Sequence, residues 1–347
     1  MPNLTAAQRN IAFGIGLTLM LLTVLFIVWH VRNILLILFL SILFALLIDG
    51  LARVLRSYLS IRHSIAVLLA TVCVFGGLAA ITWAAGPHIG TQLSELQQRL
   101  QEATETLESK IKSQDWMSPL LSSANAKQIA PSAKDFLGGI TGVFSSTIGA
   151  VANLLIILLL GLYLAFSPQL YVNSIIITIP AKGRQHTTEI LEFIGHALRW
   201  WLVGRILSMT LVGVLTTLGL YLIGIPLYFA LGFIAALLSF VPYIGPIIAA
   251  IPAVLIGFIQ GFDQAANVIL VYIVVQSLES YFITPLIQRR VVSLPPAALL
   301  SAQLLMGALL GTLGVVVAAP LTLVFIVLVQ VLYVRDQLGE DVNILGQ

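Results

Sequence analysis

The sequence predicts an all-α polytopic membrane protein of about seven to eight membrane helices, including broken or re-entrant hairpins in its C-terminal half. Hydrophobic residues make up 59% of the 347 residues and charged residues 9%, and the mean hydropathy is +1.05. Because a soluble domain carries about 25% charged residues, this composition indicates a chain that lies in a lipid bilayer. Two further observations agree: apolar runs of bilayer length recur, and prolines and glycines interrupt the later ones.

The N-terminal half contains the uninterrupted runs, each close to the roughly 20 residues that cross a hydrocarbon core. These runs are Ile11–Trp29, Ile34–Gly50, Ile65–Gly86, Ile148–Phe166 and Leu207–Ile223. Broken or less regular runs follow at Tyr228–Phe258, Ala266–Ile287 and Ala297–Val334. The first run is longer than the core of a signal peptide and has no small-residue cleavage site after it, which predicts a first membrane helix.

Basic residues between these runs predict the orientation of the chain, since cytoplasmic loops carry an excess of lysine and arginine. Nine of the 17 basic residues fall in three segments, with Arg53, Arg56 and Arg62 in the first, Lys182, Arg184, Arg199 and Arg205 in the second, and Arg289 and Arg290 in the third. We therefore expect these three segments in the cytoplasm. Alternation of the spans then places the N-terminus there as well.

These features divide the chain into segments of different character. Residues 1–86 hold three membrane helices, residues 87–137 an extracytoplasmic amphipathic insert, and residues 138–167 a fourth helix. Residues 168–206 form a cytoplasmic interfacial elbow helix, residues 207–335 the C-terminal membrane region with broken hairpins, and residues 336–347 a cytoplasmic tail. The apolar seam of the insert predicts packing on the membrane domain or self-association. In the elbow, Trp200 and Trp201 beside arginines favour the membrane interface.

The segment Ser239–Pro252 is apolar enough for a bilayer, yet proline and glycine interrupt it at Pro242, Gly245, Pro246 and Pro252. Proline lacks an N–H and clashes with the preceding turn, which costs about 3 kcal/mol in a helix interior. Broken backbone at membrane depth needs protein or a wet cavity around it, and transporters use such breaks for binding sites. A weaker echo of the pattern at Gly311–Pro320 predicts a second hairpin.

Glu279 is the only acidic residue well inside an apolar run. A charge at the bilayer centre costs several kcal/mol and normally faces a bundle interior or a cavity. Polar residues at intervals of four place a stripe beside it, formed by Tyr272, Gln276, Ser280, Thr284 and Gln288. One hypothesis is a transport pathway in which Glu279 binds a proton or cation and its neighbours coordinate a polar solute. The other is a buried seam that fastens helices by hydrogen bonds.

Other polar residues near these segments allow more than one interpretation. Arg290 either clamps an anionic group, pairs with Glu279 across a bend at Pro285, or marks the cytoplasmic side. Tyr243, between two prolines of the break, caps freed backbone or touches substrate. Asp49 lies four residues before Arg53, which predicts an interfacial ion pair.

Several functional classes find no support in the sequence. It contains no G-x-x-x-x-G-K-[ST], H-E-x-x-H or G-x-S-x-G motif, which argues against a nucleotide-driven motor and against an enzyme. Its one cysteine, Cys73, excludes an intrachain disulfide, and its five histidines are scattered, so we expect neither a metal site nor a cofactor. Without a basic tract that contains aromatic residues, we expect no nucleic-acid partner. The expected partners are the lipid bilayer and a small-molecule or ion substrate.

A group of motifs between residues 230 and 322 carries a family resemblance. They are Gly232-Phe, Phe240-Val-Pro-Tyr-Ile-Gly-Pro246, Ala250-Ile-Pro252, Glu279-Ser, Thr284-Pro285-Leu-Ile, Arg290 and Gly314-x-x-x-Ala-Ala-Pro320-Leu. This pattern resembles the autoinducer-2 exporter family of PerM-type permeases, as does the layout of nearly the whole chain. The chain departs from the family at Gln288-Arg289, where a small residue usually precedes the arginine, and at Leu294-Pro295-Pro296.

The resemblance implies a bacterial inner-membrane transporter that forms homo-oligomers, pentamers included. Some members are linked to export of autoinducer-2, and others to cation/proton antiport. Together with the residues above, it predicts a secondary transporter or exporter of a small polar solute, an autoinducer-2-like signal or another small molecule, coupled to protons or cations. A passive channel, a cation/proton antiporter and a membrane scaffold are the alternatives. The expected site residues are Glu279, Gln276, Ser280, Thr284, Tyr272, Pro242, Tyr243, Gly245, Pro246 and Arg290.

Overall fold

The computed structural model describes residues 6–112, 147–283 and 295–340, and in these ranges all regular elements are helices, as the sequence predicts. The nine α-helices of these ranges are α1 (Ala6–Leu59), α2 (His63–Lys112), α3 (Thr147–Phe166), α4 (Pro168–Ile177), α5 (Arg184–Leu222), α6 (Tyr228–Leu238), α7 (Ile244–Gln260), α8 (Phe262–Leu278) and α9 (Pro296–Val329). A 3-10 turn, Ala181–Gly183, precedes α5. The π-helical turns Glu279–Ile283 and Gln330–Arg335 extend α8 and α9.

Four helical stretches of the described residues are long and apolar enough to cross a membrane, namely Gly14–Leu59, Ala181–Leu222, Phe262–Phe282 and Pro296–Arg335. A fifth arises if Val151–Phe166 and Pro168–Ile177, which meet at 82°, form one bent span. The chain is thus a multi-pass helical membrane protein, and by length and composition its described residues do not confirm the about seven to eight membrane helices expected. The difference arises because some predicted runs merge into longer helices, and because α6 and α7 are short.

Helix α1 joins the first two predicted spans into one element. It runs for 54 residues, about 80 Å at the rise of an α-helix. The connecting residues include neither glycine nor proline, and the guanidinium of Arg32 lies 4.0 Å from the ring centroid of Trp29, one helical turn earlier. The chain reversal expected between residues 29 and 34 is therefore wrong. Without that reversal, alternation of the spans no longer supports the cytoplasmic N-terminus, which stays an untested prediction.

Helix α2 continues through residue 86, where the sequence places the start of a separate insert. It reaches Lys112. In its distal part, Leu96 and Leu100 are buried in a cluster with Leu220 and Ile256. The Gln92 Oε1 atom also accepts a hydrogen bond of 3.0 Å from the backbone N–H of Ala230. The amphipathic seam therefore packs on the protein's own helices, one of the two roles open from the sequence.

Helix α5 crosses the predicted boundary between an interfacial elbow and a membrane helix. Its first half packs in a core with α1 and α9, where Ala197 and Leu198 are buried beside Leu43 and Leu323. Trp201 is buried in the same cluster and meets the ring of Phe240 edge-on, with centroids 5.7 Å apart. This position differs from the interfacial one expected for Trp201.

Helices α6 and α7 form a hairpin whose turn contains Pro242 and Tyr243. Tyr243 has a φ of 61°, in the left-handed region that non-glycine residues rarely adopt. Pro246 lies in the first turn of α7, where a missing N–H leaves no helical bond unmade, and Pro252 lies inside α7 without ending it. A Cβ atom on Gly245 would overlap the carbonyl oxygen at the end of α6. The predicted break is confirmed at the turn, whereas the helix continues through Pro252.

Helix α9 folds back on itself at Gly311, which has φ 69° and ψ −154°. Leu299 of its first arm, residues 296–310, and Leu323 of its second arm, residues 312–329, belong to one buried cluster. A straight helix would separate these two leucines by about 36 Å. The predicted second break is therefore confirmed at Gly311, whereas Pro320 lies within the helical second arm.

One end of the bundle gathers charged residues from three helices. The predicted ion pair between Asp49 and Arg53 is confirmed at 2.9 Å, and Arg199 of α5 lies 3.5 Å from the same carboxylate. Beyond α9, Arg335 donates hydrogen bonds of 3.0 and 3.2 Å to the two carboxylate oxygens of Glu189 in α5. The end of α1, the start of α5 and the end of α9 therefore share one side of the molecule.

The substitution Gly314→Ala tests the fold-back of α9. A Cβ atom at this position would overlap the carbonyl oxygen of Met306 in the opposite arm, so the two arms would have to separate. Since overpacking costs about 1–3 kcal/mol, we expect the melting temperature in detergent to fall by several degrees. The matched control is Gly76→Ala, where an added Cβ meets no atom within 4 Å and alanine favours the helix. Equal melting temperatures for the two variants would contradict the fold-back.

Candidate functional site

Glu279 lies where α8 passes into the π-helical turn Glu279–Ile283. Glu279 is buried although its side chain carries a carboxylate. π-Helical turns widen a helix and occur frequently at functional sites. A buried carboxylate needs both a compensating charge and hydrogen-bond donors, because desolvation otherwise favours its neutral form.

Helices α5 and α8 supply these groups to Glu279. The guanidinium of Arg205 donates a hydrogen bond of 3.3 Å to Oε1, and the Ser208 hydroxyl donates to the same oxygen. The amide of Gln276 donates to Oε2. Both carboxylate oxygens are therefore bonded, and Arg205 and Glu279 form an ion pair in which each side chain is 11% exposed.

The buried face of α5 explains how Arg205 and Ser208 reach this position. Residues about four apart follow one face of a helix, and this face of α5 packs inward at Trp201, Gly204, Ser208, Val212, Thr216 and Leu220. Arg205 flanks the face and extends toward α8. Within the part of the chain that the structure describes, its Nε atom is buried without a hydrogen-bond partner. The site thus holds a spare cationic donor.

The turn of the first hairpin adjoins this ion pair. Phe240 of the turn meets the ring of Trp201, which stands one helical turn before Arg205 on α5. From the second hairpin, the Gln303 amide donates a hydrogen bond of 2.9 Å to the carbonyl oxygen of Pro242. The broken segments and the charged pair therefore form one neighbourhood rather than separate features.

The polar stripe predicted on α8 divides in the structure. Gln276 bonds to Glu279 as described, whereas the Tyr272 hydroxyl donates to the carbonyl oxygen of Ala249 at 3.1 Å and fastens α8 to α7. Ser280 is exposed, unlike Glu279 beside it. Tyr272 therefore fastens helices together and Gln276 bonds the carboxylate, while the pathway role of the stripe stays a prediction.

The remaining predicted site residues fall into two groups. Pro242, Gly245 and Pro246 shape the hairpin turn, and their part in binding stays a prediction. Thr284 and Arg290 lie outside the described residues. In residues 6–112, 147–283 and 295–340, no three His, Cys, Asp or Glu side chains converge as metal ligands.

The sequence reasoning missed Arg205 and Ser208. It places Arg205 in a cytoplasmic loop by the positive-inside tendency, whereas the structure places it within the 39-residue helix α5. A signal was available, because Arg205 is the only charged residue between positions 203 and 223. Such an isolated charge in an apolar helix has the same cost as Glu279 and predicts a partner of opposite sign.

An all-helical chain with several bilayer-length apolar helices and an ion pair buried among them defines a multi-pass membrane protein of the transport class. A family model described as AI-2E family transporter matches residues 17–334. The chain therefore belongs to the AI-2E transporter family, which confirms the resemblance seen in its motifs.

Curated relatives agree with the family assignment. The Bacillus subtilis (strain 168) protein named "Putative transport protein YueF" is 24% identical over 273 residues, which cover 75% of this chain and 74% of the relative. A second protein of that organism, "Putative transport protein YrrI", is 24% identical over 270 residues and covers 76% of both chains. A Thermotoga maritima protein named as a transport protein is 26% identical over 281 residues, covering 80% of this chain and 84% of the relative.

The ion pair can be tested by a double-mutant cycle on the free energy of unfolding. Arg205→Met leaves the carboxylate of Glu279 buried without its charge partner, so we expect a loss of about 3–5 kcal/mol. Adding Glu279→Met should recover most of that loss, because neither charge is then buried alone. The control is Arg99→Met in the exposed pair with Glu95, expected to cost at most about 1 kcal/mol. Additive effects at residues 205 and 279 would show that the two side chains do not interact.

Proposed function

We propose that the chain is a secondary transporter that moves a small polar solute through a site formed around Glu279 and Arg205. The observation that carries the proposal is their buried ion pair, supported by Ser208 and Gln276 and set beside a hairpin turn. Ionisable residues inside membrane helices are costly and commonly mark transport pathways. Helices broken near the bilayer midplane are typical of the binding sites of carriers.

The ion pair suggests how transport is coupled to an ion. Separating two buried opposite charges costs several kcal/mol, because each is left uncompensated. A proton or a cation on Glu279 compensates the carboxylate alone, so the freed guanidinium of Arg205 must then be compensated by the polar solute. The pair therefore opens when the ion and the solute together compensate both charges, and it closes again when both have left.

We further propose that both hairpins enter the membrane without crossing it, which brings the membrane-embedded segments toward the about seven to eight expected from the sequence. Helices α6 and α7 contain 11 and 17 residues, about 16 and 25 Å. The two arms of α9 are about 22 and 27 Å long. All four are shorter than the roughly 30 Å hydrocarbon core. The bacterial relatives favour the inner membrane, and the homo-oligomer implied by the family stays a prediction.

The proposed orientation can be tested by thiol labelling of intact cells. The charged end of the bundle, with the last turns of α1, would face the cytoplasm, and the end of α5 the outside. In a Cys73→Ser background, we expect an impermeant maleimide to label Leu222→Cys at once and Tyr58→Cys only after permeabilisation. Their native side chains are 80% and 84% exposed, so both thiols are accessible to reagent. The reverse labelling pattern would show that the protein has the opposite orientation in the membrane.

The proposed role of Glu279 can be tested in proteoliposomes. The probes are proton flux driven by a sodium or potassium gradient, and efflux of autoinducer-2. Because glutamine keeps the size of the side chain but cannot take up a proton, we expect Glu279→Gln to lower flux at least tenfold and to remove its dependence on pH. The matched control is Glu95→Gln, in an exposed ion pair of α2, which should leave flux unchanged.

Three results of the same assay would favour other functions. Unaltered pH-dependent flux in Glu279→Gln would remove the carboxylate from the mechanism. Conductance far above carrier turnover, without saturation, would identify a passive channel. No flux in the wild-type protein, together with an altered oligomer size in Glu279→Gln, would identify a membrane scaffold.

A further inference from the structure

Gln303 lies in the first arm of α9 and makes a polar contact between the two hairpins. Its side chain is 0% exposed, and its Nε2 atom donates a hydrogen bond of 2.9 Å to the carbonyl oxygen of Pro242. Within the described residues, its Oε1 atom is buried without a partner. Burying a polar amide with an unpaired oxygen costs free energy. An apolar side chain of the same size would avoid that cost. The presence of glutamine therefore indicates that its hydrogen bond to Pro242 has a role.

The bonded carbonyl occupies a sensitive place in the hairpin turn. The oxygen of Pro242 and the N–H of Tyr243 belong to one planar peptide group, so holding the oxygen fixes the orientation of that plane. Tyr243 has a φ of 61°, a conformation that costs a non-glycine residue about 1 kcal/mol or more. Such a conformation persists only when surrounding contacts enforce it. The N–H of Ile244 donates a hydrogen bond of 2.7 Å to the same carbonyl oxygen and closes the turn, and the bond from Gln303 ties this closed turn to the second hairpin.

The turn that contains this peptide plane packs on the helix that carries Arg205. Phe240 of the turn meets the ring of Trp201 edge-on, with centroids 5.7 Å apart, and Trp201 stands one helical turn before Arg205 on α5. Arg205 in turn pairs with Glu279. Gln303 therefore touches neither charged residue, yet it holds a turn that packs beside them.

We propose that Gln303 is a positioning residue of the transport site, which holds the turn of the first hairpin against α5 beside Arg205 and makes the two hairpins move together. The proposal rests on the proposed function. Without the bond, the second hairpin moves independently of the first. A merely structural role would instead affect stability without changing the site.

The first experiment measures flux for Gln303→Met, which preserves the length of the side chain but donates no hydrogen bond. From the usual value of a buried hydrogen bond, we expect the maximal proton flux in proteoliposomes to fall about two- to tenfold. The control is Gln330→Met, a partly buried glutamine beyond the far end of the second arm, which should keep the wild-type rate. Equal rates for the wild type and Gln303→Met would overturn the positioning role.

A second variant separates positioning from simple packing. In Gln303→Glu, the protonated carboxyl group can donate to the carbonyl oxygen of Pro242, whereas the charged carboxylate cannot and repels it. We therefore expect the flux of Gln303→Glu, relative to that of the wild type, to fall as the pH rises. A ratio that does not change with pH would contradict the hydrogen bond as the cause.

A third measurement does not depend on transport. Spin labels at Ile247→Cys in α7 and Leu304→Cys in α9, in a Cys73→Ser background, report the distance between the hairpins. Both native side chains are 68% exposed, so the labels do not disturb the core. We expect Gln303→Met to broaden the distance distribution and Gln330→Met to leave it narrow. An unchanged distribution would overturn the link between the hairpins, whereas a wild-type protein without flux would overturn the proposed function alone.

Discussion

A charged carboxylate inside an apolar bundle must be neutralised, and the contact of Glu279 with Arg205 meets that requirement. Because Arg205 and Ser208 stand one turn apart on α5, both reach the carboxylate only in one register of α5 against α8. The same register sets the positions of the hydrophobic side chains above and below. In lipid, where apolar contacts do not discriminate strongly between registers, a buried ion pair supplies the specificity.

Two hairpins pack against α5, the helix that carries Arg205, and both depend on the absence of a side chain at a point of close approach. Gly245 lets the start of α7 approach the end of α6, and Gly314 does the same for the two arms of α9. Close approach lets turn carbonyls find donors in the neighbouring helix, as Pro242 does with Gln303. Broken backbone in a membrane is tolerated only with such donors. Proline and glycine thus create polar groups and also the space in which they are bonded.

The sequence predicts the parts of this arrangement that follow from local chemistry. Prolines and glycines mark both hairpins, and the cost of a buried charge singles out Glu279. It does not predict that α1 is continuous, because His30 and Arg32 resemble a loop in composition although neither ends a helix. It also misses Arg205, because an arginine near two tryptophans looks the same at a membrane interface and in a buried ion pair. Only the packing of α5 on α8 distinguishes the two.

The reversal of α9 at Gly311 also decides on which face of the molecule this helix ends. A straight helix of 34 residues would deliver everything after it to the opposite face of the molecule, but a hairpin returns to the face from which it started. The contact of Arg335 with Glu189, at the beginning of α5, agrees with such a return. One glycine dihedral therefore sets the side of the molecule on which Arg335 lies, and a substitution that straightened this helix would carry Arg335 to the opposite side.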